Sequence, residues 1–167
     1  MAVVNVKGAA LTNAESTPVV NNDVTLVGGR VRRIVETVEV GASDSNGSTY
    51  RIARIHSSWC VASIKVFNDA ITGGTSFDIG IYQTGANGGA AVSAGAYATA
   101  IDLSSARTTA PLEAAFEARN IDKLRNKVWQ DAGLTADPRR EYDLVVTANT
   151  IGSSGGTVSV AVDYTID

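Results

Sequence analysis

The residues of this chain whose types and spacing suit catalysis lie around position 57. The single histidine and the single cysteine, His56 and Cys60, are separated by Ser57 and Ser58. A thiolate or a serine hydroxyl beside an imidazole is the arrangement used for nucleophilic catalysis. However, the apolar alternation that begins at Cys60 predicts a thiol on the buried face of a strand, where cysteine acts as a small hydrophobic residue. We therefore interpret His56 as a half-exposed residue at a strand end, and we predict no catalytic residue.

Metal, calcium and phosphate sites lack their required residues. One cysteine and one histidine cannot supply the thiolate and imidazole ligands of a zinc site. Asp44, Asn46 and Gly47 resemble part of a calcium loop, but the Asp/Asn spacing and the closing Glu are missing. The glycine-rich run 152–156 lacks the lysine and the following helix of a phosphate loop. The sequence therefore predicts no metal, no cofactor and no enzymatic activity.

The elements that hold these residues are predicted most clearly between positions 59 and 82. Two runs have apolar residues at every second position: Cys60, Ala62, Ile64 and Val66, then Phe77, Ile79 and Ile81. Such alternation places one apolar face of a strand against a core. Because the segment between the runs is rich in Gly, Asn and Asp, we predict two neighbouring antiparallel strands in a hairpin with a long loop.

Further strands are predicted on both sides of this pair, at 30–40, 50–56, 112–118, 142–147 and 157–166. Their alternation places Asp78, Asp143 and Asp163 on solvent-facing positions. The segment 83–100, dominated by Gly, Ala and Ser, is predicted to be a loop with a short helical piece, and 121–131 is predicted to be a helix. About eight strands separated by turns indicate an all-β chain: an antiparallel β-sandwich or jelly roll with one short helix.

The weakly patterned residues 1–27 are predicted to be an extended N-terminal arm, and 28–167 to be the sandwich domain. Two interpretations remain open for the arm. It packs loosely on its own domain, or it lies across a neighbouring subunit and becomes ordered on binding. In the second case its apolar residues Val3, Val4, Val6 and Leu11 are the expected contacts.

Composition excludes several classes of protein. The 167 residues carry a formal charge of −3 with 19% charged residues, which is far from the concentrated basic patch of a nucleic-acid-binding protein. A single cysteine excludes an intramolecular disulfide. No signal-peptide pattern is present, and no apolar run approaches the roughly 20 residues that span a bilayer. We therefore expect a soluble protein made in a reducing cytoplasm, with neither nucleic acid nor membrane as a partner.

Several segments between 50 and 166 are similar to a group of tailed-bacteriophage virion proteins described as head decoration, cement or stabilisation proteins. The similarity is carried by Arg51–His56, Ala62–Tyr82, Asp102–Ser105, Phe116–Arg119, the segment around Trp129, Tyr142–Thr147 and Val158–Tyr164. It is a pattern of strands and loops, it leaves the N-terminal arm uncovered, and it transfers no functional residue.

The resemblance implies a non-enzymatic structural protein that binds the outer capsid surface and stabilises the phage head. Its implied partners are the major capsid protein and further copies of itself, as a trimer or a dimer, on a virion assembled from proteins made in the host cytoplasm. Trp59 and Trp129 join the arm residues as interface candidates because tryptophan is frequent in binding hot spots. Two alternatives are a jelly-roll module that binds carbohydrate or another host-surface ligand, and a small hydrolase with a pocket at His56.

Overall fold

The computed structural model describes residues 6–22 and 29–166, so the predicted contacts Val3 and Val4 lie outside the described residues. These described residues contain eight strands: β1 (Val31–Val40), β2 (Thr49–His56), β3 (Cys60–Asn68), β4 (Ser76–Gln83), β5 (Ala91–Ile101), β6 (Arg107–Glu113), β7 (Glu141–Thr150) and β8 (Gly156–Thr165). The same part of the chain contains two short helices, α1 (Ala9–Ala14) and α2 (Val128–Asp131), and 3₁₀ turns at Gly85–Asn87 and Ile121–Lys123. None of the described helices is long and apolar enough to cross a membrane.

The strands form two four-stranded sheets with the orders β1-β8-β3-β6 and β2-β7-β4-β5. All neighbouring strands are antiparallel. The first strand pairs with the eighth, the second with the seventh, the third with the sixth and the fourth with the fifth. This nested pairing, spread over two sheets, is the topology of a jelly roll. The predicted all-β sandwich is therefore confirmed.

The predicted hairpin between the third and fourth strands is wrong, because β3 and β4 belong to different sheets. Their connection runs from one sheet to the other and is held by the body of the protein. Ile71 is fully buried there and its N–H donates to Leu103 O at 3.1 Å, while Asp69 N–H donates to Thr157 O at 2.9 Å. Alternation shows only that each strand has one core face, and it is the same for hairpin partners and for strands that face each other across a core.

A shift in the pairing of β3 with β8 changes which residues of β3 are buried. The register jumps between Val61 and Ser63, so Val61, Ile64 and Val66 point into the core. Cys60 and Ala62 are only half-buried, which contradicts the predicted apolar face at its first two positions. A one-residue bulge exchanges the two faces of a strand, and the sequence carries no mark of it.

The fifth strand was missed because its residues are small. β5 covers Ala91–Ile101, where the Gly, Ala and Ser content predicted a loop. The backbone of β5 crosses very close to β4, since a Cβ on Gly80 of β4 would lie 2.2 Å from the carbonyl oxygens of Ser93 and Ala94. The register between the two strands shifts on both sides of Ile79 and of Ile81. Gly80 therefore marks a close approach of the two strands, and the Gly, Ala and Ser content of β5 does not mark a loop.

The predicted helix at 121–131 is two short pieces, the 3₁₀ turn and α2. Between them Lys127 has extended backbone and forms a bridge with Cys60, and Val128 N–H donates to Trp59 O at 2.8 Å. Pairing with the start of β3 thus interrupts the helical periodicity. The sixth strand also ends earlier than predicted, at Glu113. We refer to residues 114–140, which link β6 to β7, as the crossover.

The turn between β1 and β2 is held by Asp44, whose Oδ2 accepts hydrogen bonds from Tyr50 Oη at 2.7 Å and from Gly41 N–H at 2.8 Å. These bonds lower the pKa of Asp44, the Tyr50 bond most. The stabilisation is therefore present above the unfolded pKa, about 3.9, and is lost as the pH falls through the lowered pKa.

We predict that the urea midpoint of Asp44→Asn falls less steeply below about pH 5 than that of the parent. Asp122→Asn, at an exposed position of the crossover, serves as control; equal slopes for the parent and Asp44→Asn would contradict the prediction.

Candidate interaction surface

Large apolar side chains are exposed in three parts of the described chain. The N-terminal segment 6–22 contributes Val6, Leu11, Val19 and Val20; the first strand contributes Val31 and Val35; the crossover contributes Ile121 and Leu124. Single exposed apolar residues are ordinary on a protein surface, but groups of them indicate contact with a partner. These three groups are therefore the starting point for a functional site.

The described part of the predicted extended N-terminal arm, residues 6–22, is a locally folded unit that includes a short helix. It contains α1, which buries none of its residues, and a return stretch joined to it by Asn13 and Asn22. Asn13 Nδ2 donates to Asn22 Oδ1 at 3.0 Å, and Asn22 Nδ2 donates to Ala10 O at 3.0 Å. Among the described residues, each hydrogen bond of this segment joins two of its own members. Two of the predicted contact residues, Val6 and Leu11, are 84% and 50% exposed on it.

The other two apolar groups are brought to the same end of the sandwich. Val31 at the start of β1 lies opposite Thr165, Thr165 lies opposite Cys60, and Cys60 forms a bridge with Lys127 of the crossover. Cys60 Sγ also donates to Leu124 O at 3.2 Å. One row of backbone pairing therefore connects the entry of β1 to the exposed part of the crossover.

A buried ion pair holds the crossover on the sandwich. Arg119 and Asp131 have side chains only 1% exposed, and Arg119 Nη1 donates to Asp131 Oδ2 at 2.8 Å. Arg119 also donates through Nη2 to Val61 O at 2.9 Å. Its guanidinium lies 5.2 Å from the ring centre of Tyr97. Burial raises the pKa of Asp131, and the neighbouring Arg119 opposes that rise.

Sequence reasoning gave Arg119 no role, and no local pattern marks it. A charged residue in a loop is expected to be solvated by default. Here the guanidinium links the crossover to β3 through Val61 and, through Asp131, to α2. The arrangement fixes the surface that carries Ile121 and Leu124.

The two tryptophans predicted as interface candidates are half-buried at this end of the sandwich. Trp59 stacks on Tyr164 with ring centres 4.3 Å apart and planes 8° from parallel, and it packs against the core. Trp129 is held at its backbone, where its N–H donates to Ser57 O at 3.1 Å. Both lie close to the row that joins β1 and the crossover, and their role in binding stays a prediction.

His56 and Ser57, which the sequence offers as candidates for catalysis, make separate hydrogen bonds with other residues. His56 Nδ1 accepts Ser58 N–H at 3.2 Å and lies 2.9 Å from Ser58 Oγ. Ser57 is buried; its Oγ accepts Arg140 N–H at 3.1 Å, and its hydrogen bond lowers the pKa of Asp137. Within the described residues, no group of three or more His, Cys, Asp or Glu side chains is placed to hold a metal.

One predicted solvent-facing carboxylate is buried. Asp143, only 5% exposed, binds Arg51 Nη1 at 2.7 Å and Arg54 Nε at 3.1 Å. The prediction was wrong because the outer face of β7 is covered by arginines of the neighbouring strand β2. Asp78 and Asp163 are half-buried, and Asp163 receives two hydrogen bonds from Arg33 at 2.6 and 2.7 Å.

Two solved structures of phage capsids contain chains with this fold. A chain of the capsid of Ralstonia phage GP4 superposes with a TM-score of 0.61 and 13% identity, over 83% of this chain and 86% of that one. A chain of the cyanophage Pam1 capsid asymmetric unit superposes with a TM-score of 0.53 and 16% identity, over the same shares. The likeness is one of fold. No protein-family model matches the sequence, and no curated protein matches it.

Proposed function

We propose that this chain is a non-enzymatic structural protein of a bacteriophage virion, a cement or decoration protein on the outer surface of the head. The observation that carries the proposal is the shared jelly roll: chains from two phage capsid structures match most of this chain and most of their own length. The segment similarities to decoration proteins described above support the same assignment.

In this proposal the N-terminal arm, residues 1–27, binds across subunit boundaries of the major capsid protein. Support comes from the segment 6–22, which exposes four large apolar side chains and makes its described hydrogen bonds within itself. A protein that binds the assembled shell but not its separated subunits stabilises the shell by mass action. Several weak contacts made by one oligomer add through their effective concentration. The crossover and the half-buried Trp59 and Trp129 contribute a second contact region.

The alternative of a carbohydrate-binding module has less support. Such a module needs aromatic side chains that stack on a sugar from solvent. The chain has two Trp, five Tyr and three Phe. All of them lie in the described residues, and each is buried or half-buried.

Co-sedimentation with heads of the encoding phage, stripped of this chain, tests the proposal. We expect saturable binding of the full chain at a fixed ratio to the major capsid protein. Val6→Ser with Leu11→Ser removes apolar contacts from the arm and is expected to weaken binding at least about tenfold. The control is Ala110→Ser, at an exposed position of β6 outside both proposed contact regions.

Two outcomes separate the parts of the proposal. If the full chain fails to bind any head, the cement function is wrong, and glycan arrays become the next assay. If the arm variant binds as tightly as the full chain, capsid binding stands and the arm is not its contact.

A further inference from the structure

The first strand is the edge of its sheet, and most of its side chains are exposed. Within the described residues β1 pairs with β8 alone, which leaves its other backbone edge open. Val31 and Val35 are 59% and 61% exposed on it. A long open edge invites pairing with another strand, and natural proteins usually prevent this with charges. The charges of β1, however, are divided by sign along its length.

Arginines occupy the beginning of the strand and glutamates its end. Arg30, Arg32 and Arg33 precede Ile34, and Glu36 and Glu39 follow Val35. When two strands pair antiparallel, the beginning of one lies beside the end of the other. A second copy of β1 therefore places basic residues beside acidic ones, so charges that repel other edges attract this one.

We infer that β1 pairs antiparallel with β1 of a second copy, forming a two-fold dimer with a continuous eight-stranded sheet. The two-fold axis of such a dimer is perpendicular to the sheet, so the outer faces of both copies lie on the same side of it. Residues that lie directly opposite each other on two antiparallel strands have side chains on the same face of the sheet. Because side chains alternate between faces, the sequence numbers of two opposed residues in the two copies must differ by an even number. The two-fold axis must therefore pass between one residue of β1 and the same residue of the second copy.

Charge selects the residue on the axis. Centring on Arg33 or Glu36 places two like charges face to face, which is unfavourable. Centring on Ile34 places Arg32 directly opposite Glu36 of the second copy, twice by symmetry. Centring on Val35 sets Ile34 opposite Glu36 and leaves the charges in contact only diagonally. The geometry therefore points to Ile34.

The contacts within one copy leave these two charges available. Arg33 is bound to Asp163, and Glu39 accepts a hydrogen bond from Thr157 Oγ1 at 3.0 Å. Arg32 has no hydrogen-bond or ion-pair partner among the described residues, and Glu36 accepts only the adjacent Thr37 N–H at 3.3 Å. Both side chains are exposed.

The apolar residues of β1 fit the same register. Ile34, half-buried, lies against Ile34 of the second copy on the inner face. On the outer face Val35 lies opposite Arg33, whose aliphatic stem covers it while the guanidinium stays on Asp163. Val31 lies opposite Thr37, a pair of β-branched residues that packs well across strands. The inference concerns the purified chain in solution and does not depend on capsid binding.

Charge exchange tests the register. The full chain is expected to have the mass of a dimer by sedimentation equilibrium. Arg32→Glu sets Glu against Glu twice, and Glu36→Arg sets Arg against Arg twice, so each variant alone is expected to raise the dimer Kd at least about tenfold. An equal mixture of the two variants restores opposite charges in both pairs. We expect it to form a mixed dimer, detected by native mass spectrometry.

Lys123→Glu, a charge reversal at an exposed position of the crossover, is the control and should leave the dimer intact. A full chain that is monomeric or trimeric at every concentration would overturn the inference. Variants that dimerise as well as the parent, or a mixture that yields no mixed dimer, would overturn it too. Circular dichroism checks that each variant is folded.

Discussion

Replacing Arg119 with alanine is expected to lower the free energy of unfolding by about 3–5 kcal/mol, because it leaves Asp131 charged and unpaired in a buried site. The variant also removes the donor to Val61 O and the cation that lies over the Tyr97 ring. Urea unfolding followed by circular dichroism measures the loss. Arg125→Ala is the matched control, since it removes an exposed arginine from the same crossover and should change stability by less than about 0.5 kcal/mol.

A double-mutant cycle and a pH series sharpen this prediction. Asp131→Ala combined with Arg119→Ala should cost less than the sum of the single changes, because the pair is lost only once. Without Arg119, burial raises the pKa of Asp131 further, and only the smaller effects of Asn126 and Tyr97 oppose the rise. A raised folded pKa gives stability that is full below the unfolded pKa and is lost as the pH rises through the folded value. Arg119→Ala should therefore be less destabilised at about pH 4 than at pH 7. If the two substitutions lowered the free energy of unfolding additively, or if the loss in Arg119→Ala did not depend on pH, the Arg119–Asp131 pair would not stabilise the fold as a buried ion pair.

Gly80→Ala is expected to have the second large effect, a loss of about 1–3 kcal/mol or more. Its Cβ would lie 2.2 Å from the carbonyl oxygens of Ser93 and Ala94, so two backbone segments must move apart. Both belong to β5, which crosses close over β4 at this point. Urea unfolding followed by circular dichroism measures this loss of stability as well.

The control for Gly80 is Gly85→Ala in the turn between the same two strands. A Cβ on Gly85 meets no atom within 4 Å, and the change should be close to neutral. If Gly80→Ala proved as stable as Gly85→Ala, β5 would not approach β4 as closely as described.

The sequence by itself determined the class of fold. Alternation in β8, from Val158 to Tyr164, and in β4, from Phe77 to Ile81, follows directly from the two faces of a strand, and both segments are strands with buried apolar residues. The lone His56 and Cys60 predict that the chain has no catalytic residue, and its structural role is what the resemblance to phage decoration proteins implies. These inferences depend on local chemistry, which each residue carries wherever the strand is placed.

Only the tertiary structure decided which strands are neighbours and which polar residues are buried. Nothing in the alternation of β3 and β4 distinguishes a hairpin from two strands in opposite sheets. The small residues of β5 predict a loop, and only the structure shows that they form a strand that crosses close over Gly80 of β4. Arg119 and Asp143 are charged residues that become buried because partners distant in sequence reach them, Asp131 in one case and Arg51 in the other. Such contacts depend on long-range pairing, and local sequence holds no record of it.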